Sequence, residues 1–110
     1  MSEYQTLEGL GLSKTAVACY ESLFNNGGTD VVHLAERLGL PKTGLYRILK
    51  QLELKGFITS LKTEAQPTYF FAVRLDEALH NYAAYQHRLV SELIDEQVKA
   101  LAKRSGRARN

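Results

Sequence analysis

The chain has no tryptophan, one methionine, two prolines and a single cysteine among its 110 residues. A lone Cys19 excludes an intramolecular disulfide and a paired-cysteine metal knuckle, and it fits a reducing compartment. No apolar run approaches the roughly 18 residues that a membrane-spanning helix needs. The start, MSEYQTLEG, lacks the basic and apolar regions of a secretory signal, so a cytoplasmic location is expected. Also missing are a P-loop, a nucleophile elbow and an HExxH pair, and no catalysis is expected.

What is present suffices for a core. With 45% hydrophobic and 24% charged residues, one soluble domain can fold without staples. The net charge of +2 is unevenly spread, because residues 1–102 hold ten cations and all twelve anions. From Asp30 to Lys62 six cations (Arg37, Lys42, Arg47, Lys50, Lys55, Lys62) face three anions (Asp30, Glu36, Glu53), which puts a positive field on that segment.

Periodicity places the elements. Ser13 is a good N-cap for a first helix in which Ala16, Val17, Tyr20, Leu23 and Phe24 repeat at helical spacing until the NNGG stretch. Thr29 or Asp30 caps a short second helix with Val31, Leu34, Ala35 and Leu38 on one face, and Gly39 stops it. Pro41 suits the first turn of a third helix, 42–55, whose Leu45, Ile48, Leu49 and Leu52 form its inner face. After Gly56 the period becomes that of strands: FITSLK, a turn-like TEAQP and TYFFAV read as a β-hairpin. Asp76 then caps a long final helix over 76–103, and the basic end, 104–110, reads as a disordered tail.

This order predicts a mainly α fold with a small β-hairpin, a winged helix-turn-helix over 1–75 with a C-terminal dimerisation helix. With the leucines and Ile48 assigned inward, Lys42, Thr43, Tyr46, Arg47 and Lys50 remain on the outer face of the third helix, free to enter a major groove. Gly44 permits close backbone approach. Thr29, at a helix start, and Lys62, on the wing, complete the candidate DNA contacts. Arg47 is the candidate for a guanine contact, and Lys42, Lys50 and Thr29 for phosphates.

LGLSKTAVACYESLF, then LAERLGLPKTGLYRILKQLELKGFI and PTYFFAVRLDEAL, resemble the DNA-binding domain of TrmB-type transcriptional regulators over roughly residues 9–80. The resemblance implies a sequence-specific, dimeric transcription factor. Two features depart from it. The sugar-sensing domain of many members is absent, and the wing tip, TEAQP, carries Glu64 instead of arginines.

A final helix of about 28 residues outruns a small three-helix core, so it should pair with its copy. The expected interface is Leu79, Tyr82, Gln86, Leu89, Val90, Leu93, Ile94, Val98 and Leu101, with Gln86 as a tolerated polar position. A dimer would present two reading helices about one helical turn apart on a near-palindrome. The expected partners are double-stranded DNA and a second copy, with no membrane, metal or cofactor. His33, His80 and His87 match no ligand spacing, and Cys19 reads as a small buried hydrophobe. An effector, if any, would need a cleft walled by Tyr20, Tyr82 and Tyr85. The alternatives are a winged-helix module that docks proteins without reading DNA, and a ligand- or redox-responsive repressor of the MarR or ArsR kind.

Overall fold

In a computed structural model, which describes Tyr4 and residues 6–109 and side chains through Arg104, the expected order of elements is found with a short N-terminal helical turn and one strand added. A single turn, α1 (Thr6–Gly9), leads into α2 (Lys14–Asn26). Ser13 caps α2 as its spacing predicts, its Oγ accepting from the Ala16 backbone N–H at 3.1 Å. Next comes β1 (Thr29–Asp30), then α3 (Val31–Leu38). Asp30 caps α3, and Gly39 ends it in the left-handed region at φ 65, where glycine carries no Cβ penalty. The third helix of the expected winged helix-turn-helix, α4 (Lys42–Leu54), follows after three residues. Pro41 is its N-cap, one place ahead of the expected first turn, and Lys55 is its C-cap.

The wing is a three-stranded antiparallel sheet rather than a bare hairpin. Strands β2 (Ile58–Leu61) and β3 (Tyr69–Ala72) pair with Ser60 opposite Phe70 and Leu61 opposite Tyr69, and β1 adds to the other side of β3 through Thr29 opposite Phe70. Two residues are too few to show alternation, so only pairing reveals β1. The last helix, α5 (Leu75–Arg109), starts one residue before Asp76, which instead lies in its first turn. Its backbone continues as helix through most of the expected tail, 104–110. The side chains after Arg104, and Asn110 altogether, lie outside the described residues.

The core forms where α2, α3 and α4 meet the sheet. Tyr20, Leu23, Leu34, Leu45, Leu49, Leu52, Phe57 and Ile58 are all buried. Phe57 packs between Tyr20 and Tyr82, with ring centroids at 5.7 and 5.4 Å. The phenol of Tyr20 donates to Val73 O at 2.6 Å, and that of Tyr82 to Leu10 O at 2.9 Å. These contacts correct two expectations. Tyr82 belongs to the chain's own core, because its ring reaches Phe57 across the start of α5. The tyrosine-walled cleft is filled: Tyr20 and Tyr82 are buried, and Tyr85 stacks on Tyr82 at 6.3 Å. Cys19 is fully buried, and burial pushes its thiol up to about 11, away from the reactive thiolate.

The join of α4 to the wing is tight. Gly56 has φ 89, an added Cβ would lie 2.3 Å from Asn81 Cβ, and Asn81 Nδ2 donates to Gly56 O at 2.9 Å. Gly56→Ala therefore combines strained backbone with a clash against α5, and should destabilise the fold by at least roughly 1–3 kcal/mol. The midpoint of urea unfolding reads this directly, and a midpoint equal to that of wild type would contradict it.

Candidate nucleic-acid interface

Helix α4 is two-faced by construction. Leu45, Leu49 and Leu52 are each 1% exposed and Ile48 is half-buried. The opposite side gathers Lys42, Thr43, Gly44, Tyr46, Arg47 and Lys50, all exposed, on one surface. Tyr46 borders the apolar face in sequence yet is 54% exposed, so it stands outside the core. Among the described residues no hydrogen bond or ion pair within the chain engages the side chains of Lys42, Arg47 or Lys50, which leaves three cations projecting an unneutralised field. Arg37, by contrast, serves the structure: its Nη1 donates to Gly27 O at 3.1 Å.

Between α4 and the wing lies an open cleft of ≈ 440 Å³, lined by Tyr46, Arg47, Lys50, Glu53, Ser60, Thr68 and Phe70. Ser60 Oγ donates to Glu53 Oε2 at 2.5 Å and straps β2 to the helix. Sequence reasoning missed Ser60 and Thr68. Strand alternation alone leaves two choices of face, and the register opposite Phe70 selects the one turned to α4. Lys62 is exposed just past β2. Thr29 behaves differently from the rest: it is 6% exposed, paired in β1, and Asp30 rather than Thr29 caps α3. Burial removes Thr29 from the candidate surface.

A family model described as "Sugar-specific transcriptional regulator TrmB" matches residues 7–76, from α1 to the first residues of α5. The chain belongs to this family. No curated protein matches it. Among solved structures, this TrmB-family chain is similar to a protein described only as a transcriptional regulator, at 22% identity and TM-score 0.69, over 91% of this chain and 71% of that one. It is also similar to TrmBL2, described as an archaeal chromatin protein with a novel mode of DNA binding, at 22% identity and TM-score 0.63. There the match covers 88% of this chain but 36% of that one. The transcriptional regulator Tm0710 from Thermotoga maritima matches at 16% identity and TM-score 0.58, over 93% and 80%. At these identities the likeness is one of fold, and the fold is that of winged-helix regulators.

The second exposed feature of the TrmB-family chain is the distal half of α5. Leu89, Val90, Leu93, Ile94, Val98 and Leu101 are 40–57% exposed, and Leu79 is 37% exposed nearer the body. Gln86 is exposed on the same helix, its Nε2 donating to the Tyr82 hydroxyl at 2.7 Å. Of the residues expected at the interface, only Tyr82 is covered by the chain itself. His80 bonds through Nδ1 to Asp76 O at 2.9 Å, and among the described residues no three of His, Cys, Asp and Glu converge. No helix among them is long and apolar enough to cross a membrane.

The first helix of the helix-turn-helix is oriented by Asp30. Its Oδ1 accepts from His33 N at 2.8 Å and lies 2.7 Å from His33 Nδ1, and the bond from the His33 backbone is the main cause that holds the carboxyl below its ordinary value. A depressed carboxyl stabilises the fold above the unfolded pKa, and this contribution is lost as pH falls through the folded value. Asp30→Ala should cost about 1 kcal/mol at neutral pH, and the difference from wild type should shrink below about pH 4. Thermal melts of both proteins across the acid range check this; a gap that persists at the acid end would contradict it.

Proposed function

We propose that this TrmB-family chain is a cytoplasmic, sequence-specific regulator of transcription that binds double-stranded DNA as a homodimer, with α4 in the major groove. The observation that carries this reading is the free cationic face of α4 set on a rigid apolar one. Thr43, Tyr46 and Arg47 lie in the half of the helix that penetrates deepest, so they meet base edges or their rim, and Arg47 supplies the bidentate fork that guanine accepts. Lys42 and Lys50 flank them and meet phosphates, and Gly44 lets the helix start approach the duplex. Thr68 lines the cleft that Lys50 also lines, where a phosphate passing between helix and wing would be held, while the Ser60 hydroxyl is taken up by Glu53. Lys62 extends the contact along the wing, while Glu64 at its tip disfavours insertion into a minor groove. TrmBL2, whose description names DNA binding, supports the reading by its shared fold.

The homodimer follows from the distal half of α5, whose aliphatic side chains have no cover within the chain. Buried, unreactive Cys19 argues against thiol-based control. One observation favours the protein-docking alternative: the outer face of the wing exposes Leu61 and Phe71, with Tyr69 stacked on Phe71 at 6.4 Å. Selection of bound sequences from a random duplex pool separates the two. Enrichment of a two-fold symmetric site is expected, and a pool that stays random after several rounds leaves the docking module as the function.

A further inference from the structure

Resting on the homodimer proposed above, we infer that two α5 helices pair antiparallel, placing the two winged helices at opposite ends of the helix pair. The apolar stripe is the first support. Large exposed aliphatics concentrate between Leu89 and Leu101, whereas the same side nearer the body carries Ala83, Gln86 and His87 before Leu79, which is only 37% exposed beside the core. The part from Leu89 to Leu101 covers itself across a two-fold axis near residue 95. There Val90 would meet the partner's Leu101 and Leu93 would meet the partner's Val98.

Charge chooses the direction. From Asp76 to Glu96 the helix has five anions and one arginine, and from Lys99 to Arg109 it has five cations and no anion. Parallel pairing would set both cationic ends side by side and align the two helix dipoles. Antiparallel pairing parts the cationic ends by the length of the overlap and opposes the dipoles, both favourable. The helices leave their own cores near Ala78, which is fully buried. About 17 residues from the axis on each side, those points lie ~50 Å apart at 1.5 Å per residue.

Spin labels on the intact chain test the direction. Arg104→Cys and, separately, Gln86→Cys place a nitroxide on the stripe side at either end of it, while native Cys19, fully buried, stays unlabelled. Antiparallel pairing predicts interspin distances of ~25–30 Å at both positions. Parallel pairing brings each label against its own copy, and distances under ~15 Å at both positions would overturn the inference while leaving the homodimer intact. Sedimentation of the wild type and both labelled samples accompanies the measurement. A wild-type monomer would remove the homodimer reading and this inference with it, and if one label alone breaks the dimer, the other still reports the direction.

Discussion

Leu93→Glu combined with Ile94→Glu should convert the protein to a monomer with an intact winged helix, and its affinity for a two-half-site operator should fall by ~10²–10⁴-fold, the advantage of linked binding. Both side chains are more than half exposed and serve nothing within their own chain, so the body has no reason to unfold. In a dimer the same positions would bury four carboxylates without partners, a cost that removes association at micromolar concentration. Sedimentation, far-ultraviolet dichroism and binding titrations on one sample give all three readouts. A dimer that survives both substitutions would show that the distal stripe is not the interface. Truncation after Val73 makes a poorer test, because it also removes Ala78 and Tyr82 from the core.

Arg47→Ala should weaken binding by roughly 1–3 kcal/mol per half-site and relax sequence preference, if its fork reads a guanine. Lys50→Ala should act differently. A lysine on a phosphate contributes equally to every sequence, so its removal should lower affinity for selected and scrambled duplexes alike and reduce the salt slope by about 0.9 for each phosphate it neutralises. Both residues are exposed and unpaired in the chain, so neither substitution confounds binding with folding. Titrations at several salt concentrations on the two duplexes separate the roles. Wild-type behaviour of both variants would show that α4 is not the reading element.

Much of the fold was legible because its signals are local. The caps at Ser13 and Asp30 and the stop at Gly39 act within a few residues, and a helical period places Leu45, Leu49 and Leu52 on one face whatever surrounds them. The outer face of α4 follows by elimination, and all six residues read from it do lie together on an exposed surface. The family, too, was visible in the order of elements and in the LGLS, LYRIL and LKGFI stretches, and the match over residues 7–76 bears it out.

What the sequence by itself determined is therefore each element's position and its amphipathic division, since both arise from contacts a few residues long. Only the tertiary structure decided which apolar face meets which. Tyr82 and Leu79 stand one turn apart on the same stripe, yet one closes over Phe57 and the other remains partly open, a difference set by what lies across from each. Thr29 is buried by pairing with Phe70, a partner 41 residues away that no local pattern announces. Ser60 reaches the α4 cleft only through strand register, and Thr68 joins it from just before β3. A period assigns a residue to a side of its helix or strand; the packing of distant elements assigns that side to core, cleft or open surface.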